Sequence, residues 1–318
     1  MTRKGWIALA VFAGLALLPP LALAAGDKFL VSLGARVLIY ALAAVSLDLI
    51  LGFGGMVSFG HAAYLGIGGY VVGILAFHQM EGDWFGTSQA LIAWPLAVAA
   101  SALAALAFGA LSLRTGGVHF IMITLAFAQM VFFLFVSLEY YGGDDGLMVP
   151  TRSSLPGLRL GDDVTFYYVC LVLLAAFTLL CARIVNSRFG MVLRGARQNE
   201  RRMASLGFPV YRYRLAAFVI AGAGAGLAGC LYVNHGSYAS PDMMAWTKSG
   251  EIMVMVILGG MGTLIGPILG AATLLMLESQ LSGLTEHWMA ILGPFLLLVV
   301  LFARRGLHGL LMGRAPDA

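Results

Sequence analysis

The stretch Asn186–Arg214, NSRFGMVLRGARQNERRMASLGFPVYRYR, decides how the rest of the chain is read. Counted from Arg183 through Arg214, eight of the sixteen arginines lie here against a single acid, Glu200. Apolar runs of membrane-crossing length flank it on both sides. Retained loops of membrane proteins carry the Lys/Arg excess, so the pattern predicts a cytoplasmic loop between two spans. Composition points the same way. The chain is 60% hydrophobic and 11% charged, with a mean hydropathy of +0.91, whereas soluble domains carry about 25% charged residues. The predicted class is an all-α polytopic transmembrane bundle, a single domain of about eight to ten spans. Its pI near 9.0 comes from short basic segments between apolar ones, which set topology and give no sign of a nucleic-acid partner.

Working outward, a helix of about 20 apolar residues crosses the hydrocarbon core. Residues 5–25 reach that length behind Arg3 and Lys4. They also imitate a signal peptide, ending in Ala22-Leu23-Ala24, but Pro19-Pro20 and the spans that follow favour an uncleaved helix. Further spans are predicted at 29–51, 61–79, 89–112, 118–138, 165–182 and 215–233. The segment 139–164, with five acids and two arginines, reads as an external loop, and 235–249 as a second one. Residues 250–281 are too long for one span and are interrupted by GGMGTLIGP. They predict a re-entrant hairpin or two short crossings, followed by an inward span at 287–303. Arg304, Arg305 and Arg314, and both termini, then fall in the cytoplasm of a cell-membrane (inner-membrane) protein. Cys170, Cys181 and Cys230 lie in apolar stretches and read as reduced packing residues.

Enzyme signatures are missing. None of Lys4, Lys28 and Lys248 follows a glycine, so the chain has no phosphate-binding P-loop. It has no HExxH, no close histidine spacing for a metal and no Gly-x-Ser-x-Gly elbow. No catalytic residue, metal ligand or cofactor site is predicted. The sharpest internal feature is a pair of glycine breaks, Gly54-Gly55-Met56-Val57-Ser58-Phe59-Gly60 and Gly259-Gly260-Met261-Gly262-Thr263-Leu264-Ile265-Gly266. Interrupted apolar segments in comparable places mark a solute path, with Ser58 and Thr263 offering hydroxyls. A plain turn at the membrane surface fits the same residues. His61, Thr124 and Gln129 are further path candidates, or helix-to-helix bonds. Asp48 is the most central acid of a predicted span. It reads either as a carboxylate at a helix end reaching the interface or as the ion site of a secondary, ion-coupled transporter.

Within the arginine loop, Ala196–Leu206 suits a short helix closed by a left-handed Gly207 and by Pro209. Ala196, Glu200, Ala204 and Gly207 fall on one small-residue face, flanked by Arg197 and Arg201. Such a helix can seat in a partner's groove, and it can equally contact anionic lipid headgroups.

Taken together, SLDLILGFGGMVSFGHAAYLGIGGY (46–70), GGVHFIMITLAFAQM (116–130), GGDDGL (142–147), ARQNERRMASLG (196–207) and VILGGMGTLIGPILGA (256–271) resemble the LivM-type permease subunit of branched-chain amino acid ABC importers. The resemblance implies a heteromeric importer. Its partners are a second, LivH-like permease, two LivG/LivF-like ATPase subunits and a periplasmic or extracellular substrate-binding protein. The family's coupling loop maps onto Glu200, Ala204 and Gly207. The implied cargo is a branched-chain or other small hydrophobic amino acid, with urea or a short-chain amide as the nearest alternative.

Overall fold

The computed structural model describes residues 3–24 and 26–284, and beyond them 287, 290, 292–294, 306, 307 and 309. Among the described residues, seven helices are long and apolar enough to cross a bilayer. They are α1 (Arg3–Ala24), α2 (Lys28–Asp48), α3 (His61–Glu81), α4 (Ala90–Ser112), α5 (Val118–Val136), α6 (Asp163–Val185) and α9 (Val210–Gly236). A π-helical turn, Leu49–Phe53, carries α2 onward. The shorter helices are α7 (Arg188–Gln198), α8 (Glu200–Ser205), α10 (Trp246–Gly259) and α11 (Gly266–Leu284).

Burial sorts the long helices into a centre and a rim. Of the apolar stretches of α2, α3 and α9, 78%, 78% and 67% of the residues are buried; for α1, α4, α5 and α6 the figures are 11%, 28%, 22% and 33%. Small residues explain the centre. A Cβ at Gly68 of α3 would overlap the Gly226 carbonyl of α9, and one at Gly229 would overlap the Leu65 carbonyl. These helices therefore meet backbone to backbone, as small residues permit in lipid. Ser101 of α4 adds a third member by donating to the Tyr64 carbonyl at 3.0 Å. The three cysteines are buried and unpaired, in keeping with their apolar surroundings.

Helix α1 shows how the sequence meets its own irregularities. Pro19 and Pro20 have no N–H to give to the carbonyls four residues back, those of Leu15 and Ala16. In hydrocarbon such carbonyls need another donor. Adjacent tyrosines of α6 supply it: Tyr167 Oη–H reaches the Leu15 carbonyl at 2.7 Å and Tyr168 Oη–H the Ala16 carbonyl at 3.2 Å.

The arginine-rich segment sits at one end of the bundle and the acidic segment 139–164 at the other. The acidic segment is folded rather than loose. Its strand β1 (Leu147–Met148) pairs antiparallel with β2 (Tyr238–Ala239). Arg152 ties it down, with Nη2 2.7 Å from Asp163 Oδ1, Nε donating to the Asn234 carbonyl at 3.1 Å, and the guanidinium 4.8 Å from the Phe166 ring. The segment expected as a second surface loop, 235–249, turns into the bundle. The 3-10 turn Pro241–Met244 buries Met243 and Met244, which occupy the space left by Gly69 and Gly66 of α3.

Residues 250–281 are broken, as the glycines require. α10 ends at Gly259 and α11 starts at Gly266, and the two pack as an antiparallel hairpin in which Gly270 abuts the Met255 carbonyl and Gly266 that of Gly259. At 1.5 Å per residue, α10 spans about 21 Å, short of a roughly 30 Å hydrocarbon core, whereas α11, with 19 residues, is as long as α5. An Arg36–Glu278 pair at 3.1 Å joins α11 to α2. The span read over 287–303 falls largely outside the described residues, as do Arg304, Arg305 and Arg314. Gly306 is described, and a Cβ there would meet Gly260 N at 2.5 Å.

The arginine loop corrects one expectation. Its helix is not continuous over Ala196–Leu206: Asn199 is extended (φ −156°, ψ 100°), ends α7 and caps α8, with its Oδ1 accepting from Arg202 N–H at 3.0 Å. Asparagine competes for backbone donors and makes a strong N-cap, so it splits the run. Ala196 is consequently buried on α7, on a different helix from the exposed Glu200 and Ala204.

Because the Tyr167 hydroxyl replaces a donor that Pro19 lacks, Tyr167→Phe is expected to cost about 1–3 kcal/mol. In the Pro19→Ala background, where the substituted residue provides its own N–H, most of that cost disappears. Thermal unfolding of the four purified variants in detergent measures the cycle; equal costs in both backgrounds would contradict the assignment.

Candidate functional site

The two glycine breaks and the arginine loop converge at one end of the bundle. Asp48, in the last turn of α2 before the π-helical turn, is fully buried. Its Oδ1 accepts from the Gly262 N–H at 2.7 Å, while Oδ2 has no partner among the described residues. The reading of Asp48 as a helix-end carboxylate reaching the interface is thereby corrected. The π-helical turn carries α2 past Asp48, and the α10–α11 turn covers it.

Arg197 reaches the same place from α7, donating from Nη1 to the Gly52 carbonyl. Glycine is required at each contact. A Cβ at Gly52 would overlap Asp48 Oδ1 and Gly262 N, and one at Gly55 would lie 2.7 Å from Arg197 Cγ. Gly55 (φ +69°), Gly260 (φ +114°) and Gly262 (φ +75°) also occupy backbone regions that side chains disfavour. The second glycine of each GGM motif therefore has the same task, turning the chain out of a helix. Arg197 thus binds one break and Asp48 bridges that break to the other.

The hydroxyls and rings proposed for a path have local partners. Ser58 is buried, its Oγ accepting from Gly60 N–H at 3.2 Å. Thr124 Oγ1 donates to the Ile121 carbonyl at 2.9 Å and accepts from Phe59 N–H at 3.3 Å. Ser46 Oγ–H donates to the Ala43 carbonyl at 2.7 Å, so His61, 2.8 Å away, donates to Ser46 from Nε2. Thr263 Oγ1 donates to the Gly260 carbonyl at 2.6 Å and closes the second break. Gln129 is half-buried on α5. Ser58, His61 and Thr124 thus meet around the start of α3, and Thr263 lies at the other break. None of the five lines the cavity beside Glu200 or the one beside Asp242.

On the arginine loop, Glu200, Arg201, Ala204 and Gly207 are exposed. Gly207 is left-handed (φ +86°), as expected of a helix stop. Leu206 and Phe208 beside it are 65% and 39% exposed, apolar surface that no described element of this chain covers. Glu200 Oε2 pairs with Arg214 Nη1 at 2.7 Å. That pair lines a cavity of about 370 Å³ together with the first break, Gly55–Val57.

At the acidic end, His78, Glu81 and Asp83 bring potential metal-ligand atoms within 4.8 Å of one another. Each is already engaged: His78 Nδ1 with Asp83 Oδ2 at 2.6 Å, Nε2 with Tyr141 Oη at 3.0 Å, and Glu81 Oε2 with the Tyr140 hydroxyl at 2.6 Å. The Glu81 carboxylate, by accepting that bond, pushes the Tyr140 phenol up to about 12. The group acts as a clasp between α3 and the acidic segment.

Sequence reasoning missed the contacts from Asp48 to Gly262 and from Arg197 to Gly52, because they join residues more than 140 positions apart. The signal available was the density of glycine just past Asp48 and at 259–262.

Comparison with known proteins places this geometry in a family. The family model described as "Branched-chain amino acid transport system / permease component" matches residues 29–302. The chain is similar to the high-affinity branched-chain amino acid transport system permease protein LivM of Salmonella typhimurium and to that of Escherichia coli. Each is 27% identical over 316 residues, covering 90% of this chain and 73% of the relative. It is also similar to a probable LivM of Methanocaldococcus jannaschii, 26% identical over 267 residues, covering 73% of this chain and 75% of that protein. No solved structure matches the chain. With both breaks and the arginine loop inside the matched region, this integral membrane helical bundle belongs to the family of permease components of branched-chain amino acid transport systems.

Proposed function

We propose that this permease subunit of an ABC importer carries branched-chain or similar small hydrophobic amino acids, and that helix α8 is the seat of an ATPase subunit. The arginine-loop end, with both termini, is cytoplasmic; the acidic end meets a substrate-binding protein. A LivH-like permease completes the path, and LivG/LivF-like subunits hydrolyse ATP.

The observation that carries this reading is the double tie of Arg197 to Gly52 and of Asp48 to Gly262. Movement of α8 displaces α7, and Arg197 on α7 grips the first break. Asp48 passes that displacement to the turn between α10 and α11. Only a cargo with unequal contacts in the two states is coupled to such a change. The exposed face Glu200, Arg201, Ala204 and Gly207, with Leu206 and Phe208, offers the docking surface, and charge at its rim sets register.

Substitutions at three residues test this in the reconstituted complex. Arg197→Ala is expected to lower uptake about tenfold while ATP hydrolysis continues, the signature of lost coupling; parallel loss of both would argue for a folding defect. Asp48→Asn keeps the acceptor for Gly262 N–H and puts its amide where Oδ2 has no partner, so uptake stays within about threefold of wild type, whereas Asp48→Ala loses about tenfold or more. An ion-coupled transporter using Asp48 gives the reverse, with Asn abolishing transport. Glu200→Arg turns an exposed pair worth under about 1 kcal/mol of stability into a repulsion and should leave the folded chain without its ATPase subunits in co-purification; their retention at wild-type stoichiometry would remove α8 from the interface.

A further inference from the structure

A cavity of about 280 Å³ lies between α2, α3, α9 and α10, on the acidic-end side of the glycine breaks. Its floor is apolar: Leu65, Met243 and Ile252 are 4%, 5% and 0% exposed. Tyr40 and Tyr232 form one wall, their rings edge-on at 5.8 Å. Tyr40 is midway along the continuous Lys28–Phe53 span, the depth at which transport sites built on broken helices lie. The inward turn Pro241–Met244 is what closes the cavity, so the dip of 240–245 into the bundle has a use beyond packing.

Two opposite charges stand at this cavity. Asp242 is exposed, and its carboxylate has no cation partner among the described residues. Lys248 is held by Glu251, 2.9 and 3.2 Å from its two oxygens. An ammonium has three donors, so this pairing leaves Lys248 able to take a second carboxylate. Charges inside a membrane are costly and face water or a binding site rather than lipid.

We propose that this cavity holds one α-amino acid as its zwitterion. Asp242 receives the ammonium, Lys248 the carboxylate, and Leu65, Met243, Ile252 and the Tyr40 ring surround the aliphatic side chain. The volume lies just below the range of about 300–1,000 Å³ for drug-sized ligands, which suits a single amino acid. A carboxylate and an ammonium on the same lining select a zwitterion over urea or a neutral amide, which would leave both charges unmatched. Helix α10 lines the cavity with Lys248 and Ile252 and ends at Gly259, beside the turn that Asp48 holds. One rigid element therefore joins the cargo to the break, so that tilting α10 opens or closes the cavity.

The inference rests on the amino-acid reading above, and the test separates the two. In proteoliposomes bearing the full complex with its binding protein, the wild type imports leucine and refuses urea. Ile252→Trp, which fills the floor, and Lys248→Gln each reduce leucine import by about tenfold or more. Asp242→Asn does the same, while Asp242→Glu, which keeps the charge, restores import. In detergent, displacement of radiolabelled leucine by isocaproate, which lacks the ammonium, and by isoamylamine, which lacks the carboxylate, reads the two ends separately. Wild type discriminates against both by about ten- to a hundredfold. Asp242→Asn loses only the first preference and Lys248→Gln only the second. Leucine import unchanged in Ile252→Trp and in both charge variants overturns the site and leaves the cargo reading standing. Equal failure of Asp242→Asn and Asp242→Glu assigns Asp242 a structural role and also overturns the proposal. Urea imported and leucine refused by the wild type overturns the cargo reading instead.

Discussion

The rest of the structure depends on one constraint: a backbone that leaves helical geometry inside a membrane must find hydrogen-bond partners within the protein. Two segments of this chain do so at the same end of the bundle. Where the second break turns, Gly262 exposes an N–H, and the buried Asp48 carboxylate accepts it. Where the first break leaves the π-helical turn, the Gly52 carbonyl is free, and the Arg197 guanidinium donates to it. A carboxylate and a guanidinium are strong partners for this purpose. Each comes from a different part of the chain, so satisfying the backbone also fastens the α10–α11 hairpin and the arginine loop to α2.

That fastening sets what can move. α3 and α9 pack backbone against backbone through Gly68, Gly226 and Gly229, a close-packed centre that resists deformation. The hairpin is different. It is hinged on Gly260 and Gly262 with positive φ, and is tied to α2 by the Gly262–Asp48 hydrogen bond at its turn and by the Arg36–Glu278 pair along its second helix. Its first helix also lines the cavity where Asp242 and Lys248 stand. A displacement of the arginine loop therefore has a direct mechanical route to that cavity, through Gly52 and Asp48 at the end of α2 and on through the turn of the hairpin.

Legibility followed the range of the interactions. Periodicity and charge were enough for the long helices, for the break at 260–265 and for the left-handed stop at Gly207, since each is a local matter of apolar length, glycine and proline. Asn199 was local too, yet it was read through: a small-residue face at four-residue spacing outweighed the capping preference of asparagine, and the helix split there instead. The hydroxyls of Ser58, Thr124 and Thr263 were legible as path candidates because a polar group in an apolar segment signals function, but their bonds to the backbone were not. Each has a nearer use in satisfying the irregular backbone around it.

By itself the sequence determined the class of molecule, the lengths and positions of its helices, the existence of two glycine breaks and the family, because hydrophobic length and backbone chemistry are written in consecutive residues. Only the tertiary structure decided that Asp48 is buried beneath the second break, that Arg197 grips the first, that Tyr167 and Tyr168 serve the carbonyls orphaned by Pro19 and Pro20, and that residues 240–245 fold inward to make a charged cavity. Each of these joins groups far apart in the chain. Which distant donor meets which acceptor is settled by how the helices pack, and no local pattern encodes it.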